Sequence, residues 1–199
     1  MAVHIDPARD ALVVVDVQND FCPGGALGVP EGHRVVPLLN RYAERFAALG
    51  APVFASRDWH PQETTHFRAF GGVWPHHCVQ GTPGADFHPE LRLPEGTRIV
   101  SKGMDPREDA YSCFHAETAE GVPFAAALGE HGVSRLFIGG LATDYCVKET
   151  VVEGVQAGFE VIVLEDAVAA VDLASGDGAK ALDQMRAAGA RLIRLSDLE

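Results

Sequence analysis

Ala11-Leu12-Val13-Val14-Val15 is a continuous apolar, mostly β-branched run that leads into Asp16 and is broken soon after at Pro23-Gly24-Gly25. A strand that is apolar on both of its faces has to be covered on both, which is the mark of a central position in a parallel sheet. Runs of the same kind return at Pro52–Ser56, Thr97–Ser101, Arg135–Ile138, Phe159–Leu164 and Arg191–Leu195. Helical patterns separate several of them. Val35, Leu38, Leu39, Tyr42, Phe46 and Leu49 recur at intervals of three and four, which predicts a helix from Gly32 to Leu49 closed by Gly50. Further helices are predicted over Val122–Glu130, after Cys146 with Val147, Val151 and Val155 on one face, and over Ala179–Ala188. Strands alternating with helices give an α/β fold: a mostly parallel six-stranded sheet with helices on both faces. The 199 residues suit a single domain, 1–199, with one irregular region at about 58–94 that is rich in Gly, Pro and His. An irregular stretch of that length in a compact domain is more often functional than idle.

The charge balance narrows the partners. A net charge of −12 argues against nucleic acid or an anionic membrane surface and favours a small neutral or weakly charged substrate. The N-terminal residues show no basic-then-apolar leader, and no apolar run approaches the roughly 20 residues of a membrane span. The cytoplasm is therefore the expected compartment. Cys22, Cys78, Cys113 and Cys146 show no metal-type C-x-x-C spacing and are expected to be reduced thiols, the first three as packing residues.

In an open parallel sheet, ligands bind beyond the carboxyl ends of the strands. Asp16 ends the first predicted strand, Asp58 and His60 the second and Lys102 the third, while Cys146 follows the fourth. An acid, a metal-type pair, a base and a thiol thus converge on one edge. Any one of them alone is more often a cap, a core residue or a surface group; together they point to chemistry. Gly139-Gly140 is expected to let the chain turn sharply after the fourth strand, and Thr143 or Asp144 to cap the next helix. Cys146 would then sit near helix N–H groups that favour a thiolate and can hold an oxyanion. Asp58 and His60 lie two apart, so an extended backbone points both the same way, and His66 and His77 from the following loop can complete an oxygen and nitrogen donor set. Such a set suits one divalent ion, zinc, iron or manganese, at a site that keeps water positions.

The thiol cannot act by the helix dipole alone. Moving a proton from an ordinary cysteine to an ordinary aspartate costs about 6 kcal/mol, whereas the dipole contributes about 0.3 to 1 kcal/mol and about 2 at best. Burial of Asp16 and a neighbouring Lys102 have to supply the rest, so the three groups are expected to titrate as one unit.

Asp16-Val17-Gln18-Asn19-Asp20-Phe21, Asp58-Trp59-His60-Pro61, Trp74 with His77-Cys78-Val79-Gln80-Gly81-Thr82-Pro83-Gly84, Lys102-Gly103 and Gly140-Leu141-Ala142-Thr143-Asp144-Tyr145-Cys146-Val147 resemble the nicotinamidases among the isochorismatase-like cysteine hydrolases. The resemblance runs along nearly the whole chain. It implies a three-layer Rossmann-like sandwich, with Cys146 as nucleophile, Asp16 as its proton acceptor and Lys102 orienting both. It implies an oxyanion hole from the N–H groups of Ala142 and Cys146, a cis peptide between Leu141 and Ala142, and nicotinamide, with pyrazinamide beside it, as substrate. A metal, zinc by preference, would be held by Asp58, His60 and His77 with His66 as a further ligand. Phe21, Trp74, Tyr111, Ala142 and Tyr145 would contact the substrate. Tyr145 and Cys113 stand where some members carry histidine and glycine, which bears on pocket shape. A homo-oligomer is compatible with such a chain. The rivals are a relative acting on another small amide, an ether-cleaving isochorismatase, and a non-catalytic metal- or ligand-binding module; the Asp58, His60 and His77 set speaks against the first two and intact Asp16, Lys102 and Cys146 against the third.

Overall fold

A computed structural model describes residues 3–199. The chain enters through β1 (Asp10–Val15), crosses by α1 (Val35–Ala48) to β2 (Val53–Asp58), and reaches β3 (Arg98–Lys102) through a long segment of turns. It then passes α2 (Phe124–Glu130), β4 (Arg135–Leu141), α3 (Lys148–Gln156), β5 (Glu160–Ala169), α4 (Asp177–Ala188) and β6 (Arg191–Ile193). The strands form one six-stranded sheet in the order β3-β2-β1-β4-β5-β6 with every neighbouring pair parallel. This order sends the chain outward from β1 in one direction and from β4 in the other. A crevice therefore opens between the carboxyl ends of β1 and β4.

The two faces of β1 divide the core. Leu12 and Val14 pack with Val35, Leu39, Tyr42 and Phe46 of α1, whereas Val13 and Val15 pack with Phe124, Leu128, Val151 and Met185 of the helices on the other side. The period-two alternation of a strand is thus apolar in both registers, because both faces are covered. Each such side chain, fully buried, contributes about 1.5–3 kcal/mol.

The expected elements are present with shifted ends. A tight turn over Gly32–Arg34 precedes α1, and Leu49 falls outside the helix with half of its surface exposed. Pro123 stands immediately before α2, which begins at Phe124 and not at Val122. The larger correction concerns Gly139-Gly140, which do not turn the chain: β4 continues through them to Leu141, and Gly140 pairs with Val15. Gly140 has φ +129°, and a β-carbon there would lie 2.1 Å from the Val15 carbonyl oxygen, so glycine is required for strand contact and not for a turn. The chain turns after the Leu141–Ala142 peptide, which is cis. Among the described residues no helix is long and apolar enough to cross a membrane.

Candidate active site

Residues 143–147 form a single wide turn in which the Val147 N–H donates to the Ala142 carbonyl at 3.1 Å, and α3 follows at Lys148. Neither Thr143 nor Asp144 caps it. The Asp144 carboxylate instead accepts from the N–H groups of Val171 and Asp172 at 3.0 and 2.9 Å, tying the turn to the end of β5. The turn delivers Cys146, buried, to the crevice between β1 and β4.

Three strand ends supply its partners. Asp16 directly follows β1 at φ +49°, in the left-handed region where aspartate is tolerated and most side chains are not. Its Oδ1 accepts from Ser56 Oγ at 2.7 Å, and its Oδ2 lies 2.8 Å from Lys102 Nζ in an ion pair without an aligned hydrogen bond. Lys102 closes β3 in register with Asp58 at the close of β2. Its ammonium is fully buried, donates to Asp58 Oδ1 and lies 3.5 Å from Cys146 Sγ. Asp16, Asp58 and Cys146 each place a side-chain atom within 4.8 Å of the others, but Lys102 already occupies the centre of this group, so it is a poor place for a metal ion.

Burial dominates the electrostatics. It pushes the Asp16 carboxyl up, with Lys102 opposing and Asp58 reinforcing the rise. It also pushes the Cys146 thiol well above its ordinary value, again against Lys102 and with Asp16 and Asp58 adding to the rise. Burial alone would discharge Lys102, yet Asp16 and Asp58 outweigh it and hold the ammonium protonated far above the usual range. The result is a fixed cation between two carboxylates and a thiol, with Asp16 made more basic than a solvated aspartate. Burial thus raises the proton affinity of the acceptor and of the thiol together, and it is Lys102, lowering both, that favours the charged forms of the pair.

The second set lies alongside. His60, His66 and His77 are buried, and one ring nitrogen of each lies within 4.8 Å of the others. Each ring is oriented from behind. His60 Nδ1–H donates to the Gly103 carbonyl at 3.0 Å, His77 Nδ1–H to the Pro75 carbonyl at 2.8 Å, and His66 Nδ1 pairs with the Asp109 carboxylate. With Nδ1 engaged, Nε2 is left as the unprotonated donor. Asp58 Oδ2 lies 3.5 Å from His60 Nε2 and 3.9 Å from His77 Nε2, and the buried His60 Nε2 has no hydrogen-bond partner. A buried polar atom left without a partner, among two further imidazoles and a carboxylate oxygen, fits a divalent metal ion of the zinc, iron or manganese type. Burial lowers His77 to about 4, which keeps its ring neutral and ready to ligate. Gly103 is needed here, since at φ +70° a β-carbon would lie 2.5 Å from the His60 ring.

A cavity joins the two sets. Phe21, Trp74, Tyr111, Ala142 and Tyr145 line it together with Asp58, His66, His77 and Cys146, so each expected substrate contact faces the space between thiol and metal site. Trp74 Nε1–H donates to Tyr111 Oη at 2.9 Å, and the Trp74 ring meets Tyr145 edge-on at 5.2 Å. Leu27, Val29 and Val171 complete the wall, and no sequence signal distinguishes them from ordinary apolar residues. In the sequence Gln18 stands out only as part of the Asp16–Phe21 motif. Its carboxamide accepts from Asp58 N–H and donates to the carbonyls of Asp58 and Ala85, at 2.8, 2.8 and 2.9 Å, and so fixes the Asp58 backbone. Asp20 likewise accepts from Cys78 N–H at 2.7 Å beside His77. Cys22, Cys78 and Cys113 are buried and unpaired.

The comparisons with known proteins agree with this geometry. The isochorismatase domain model matches residues 10–197. The nicotinamidase of Escherichia coli is 40% identical, over 95% of this chain and 96% of that one. The crystal structure of the pyrazinamidase of Pyrococcus horikoshii in complex with zinc superposes with a TM-score of 0.86 at 44% identity, covering 94% of this chain and 99% of that one. That of PnC1 from L. infantum in complex with nicotinate gives a TM-score of 0.90 at 33% identity, over 100% and 99%. With its matched model spanning nearly the whole sequence and its sheet edge carrying the Asp16, Lys102 and Cys146 cluster, the chain belongs to the isochorismatase family.

Proposed function

We propose that the protein is a nicotinamidase, a metal-containing cysteine amidohydrolase that converts nicotinamide to nicotinate and ammonia and also cleaves pyrazinamide. One observation carries the reading: Asp58 turns one oxygen to Lys102 in the nucleophile cluster and the other to His60 and His77 in the metal-type cluster. The two sets are thereby held side by side along one cavity, which suits a flat azine ring bearing a carboxamide. The nicotinamidase relative, the zinc-bound pyrazinamidase and the PnC1 structure with nicotinate support it.

The chemistry follows from proton bookkeeping. Cys146 gives its thiol proton to Asp16 Oδ2, which has no aligned donor to compete for it, while Lys102 stabilises the thiolate at 3.5 Å. The thiolate attacks the carboxamide carbon, and the N–H groups of Ala142 and Cys146 are the donors we assign to the oxyanion. Asp16 then hands its proton to the departing nitrogen, ammonia leaves, and an acyl-thioester remains on Cys146. Water gives a proton to Asp16 and its hydroxyl to the acyl carbon, that proton returns to the sulfur as nicotinic acid leaves, and the acid ionises to nicotinate by giving its proton to ammonia or solvent. Phe21, Trp74, Tyr111 and Tyr145 hold the ring between them. Asp58, His60, His77 and His66 would hold the metal ion, for which we propose zinc, and when bound it supplies a Lewis acid toward the ring nitrogen. The four unpaired thiols suit a reducing compartment, and we place the enzyme in the cytoplasm.

Ammonia release from nicotinamide by the zinc-loaded protein, with Cys146→Ala as blank, tests the reading. Release that disappears in the variant supports it. A folded, zinc-loaded protein that leaves nicotinamide and pyrazinamide intact but hydrolyses another small amide would transfer the same machinery to that substrate.

A further inference from the structure

The three imidazoles of the metal-type cluster are not held alike. His60 and His77 donate to backbone carbonyls, which no substitution removes, whereas His66 rests on a carboxylate, that of Asp109. Asp109 belongs to the segment 104–110 between β3 and Tyr111, and its side chain is 52% exposed, while the His66 ring is buried. The segment is fastened to the loop carrying His66 at a second point. The Pro106 carbonyl accepts from Thr65 N–H at 2.8 Å, from Thr65 Oγ1 at 3.1 Å and from Thr64 Oγ1 at 3.2 Å. Asp105 is already engaged by Arg107, through the Arg107 Nε at 3.1 Å and a terminal nitrogen at 2.9 Å, which leaves Asp109 as the carboxylate that meets His66.

Resting on the metal reading above, we propose that Asp109 is a positioning residue for the metal site: it fixes the His66 ring with Nε2 toward the ion and sets how tightly the ion is retained. A carboxylate behind a ligating imidazole orients the ring, holds the proton on the far nitrogen and increases the donor strength of the near one, and loss of such a partner typically lowers metal affinity about 10- to 100-fold. His60 and His77 keep their carbonyl partners in any variant at position 109. The effect should therefore be a graded weakening and not a loss of the site.

The test is zinc affinity, read by competition with a chromophoric chelator, for wild type, Asp109→Ala, Asp109→Glu, His66→Ala and the double variant Asp109→Ala/His66→Ala. The expected result is a fall of about 10- to 100-fold for Asp109→Ala, recovery in large part by Asp109→Glu, and no further fall when Asp109→Ala is added to His66→Ala. Asp109→Ala protein that holds zinc as tightly as wild type, or a double variant weakened by both changes independently, would overturn the inference while leaving the metal reading in place. Wild-type protein that takes up no zinc would overturn the metal reading and this inference with it.

Discussion

Cys146, Asp16 and Lys102 are three residues whose properties make sense only jointly. A thiol whose acidity is suppressed by burial is a poor nucleophile until its proton has somewhere to go, and among the described residues the buried carboxylate oxygen without an aligned donor is Asp16 Oδ2. Cys146→Ala is expected to abolish turnover while leaving nicotinamide binding and far-UV circular dichroism unchanged. Asp16→Asn keeps the Ser56 hydroxyl contact in shape but cannot take a proton. Its kcat is expected to fall by roughly 10²- to 10⁴-fold, the usual worth of a positioned acid or base. Kinetics at saturating nicotinamide check this, and an Asp16→Asn enzyme within threefold or so of wild type would remove Asp16 from proton transfer.

At the scale of elements, the placement of the site depends on how closely β1 and β4 approach. Gly140→Ala would put a β-carbon against the Val15 carbonyl at φ +129°. The backbone strain alone costs about 1–3 kcal/mol, and the urea midpoint should drop accordingly; an unchanged midpoint would contradict the strand contact. At the opposite, amino-terminal edge, Arg135 grips the fully buried Asp10 with two hydrogen bonds of 2.7 and 2.6 Å. Arg135→Ala should cost about 1–3 kcal/mol, because the buried Asp10 carboxylate then keeps only the Asp6 N–H at 2.7 Å and Arg9 at 3.8 Å. The folded fraction should still turn over normally, since the pair lies a strand's length from Cys146.

These elements also show what was legible beforehand. The strand runs and the residues ending them could be read from the sequence, because doubly covered strands are written as unbroken apolar runs and their carboxyl ends collect ligand groups by topology. The role of Gly139-Gly140 could not: a glycine pair reads as a turn, and only the neighbouring strand reveals it as a close contact. Thr143 and Asp144 have the composition of caps, but Asp144 finds the Val171 and Asp172 amides, a long-range choice that local sequence does not encode. Asp109 was invisible for the same reason, being 43 residues from the histidine it meets.

For the whole molecule, the division of labour is between a rigid sheet and the loops that top it. Both apolar cores draw on β1, β2, β4, β5 and the helices, while His66 and His77 sit on the irregular segment between β2 and β3. Removal of the metal by a chelator should therefore stop turnover while the far-UV spectrum stays native, and added zinc should restore activity; collapse of the fold on chelation would contradict this separation. The most direct test is the mass of the protein quenched in acid during turnover of nicotinamide. A covalent mechanism at Cys146 predicts an increase equal to one nicotinoyl group on the peptide that carries Cys146, and none on Cys146→Ala. An adduct on a different residue, or a Cys146→Ala protein that still releases ammonia, would contradict it.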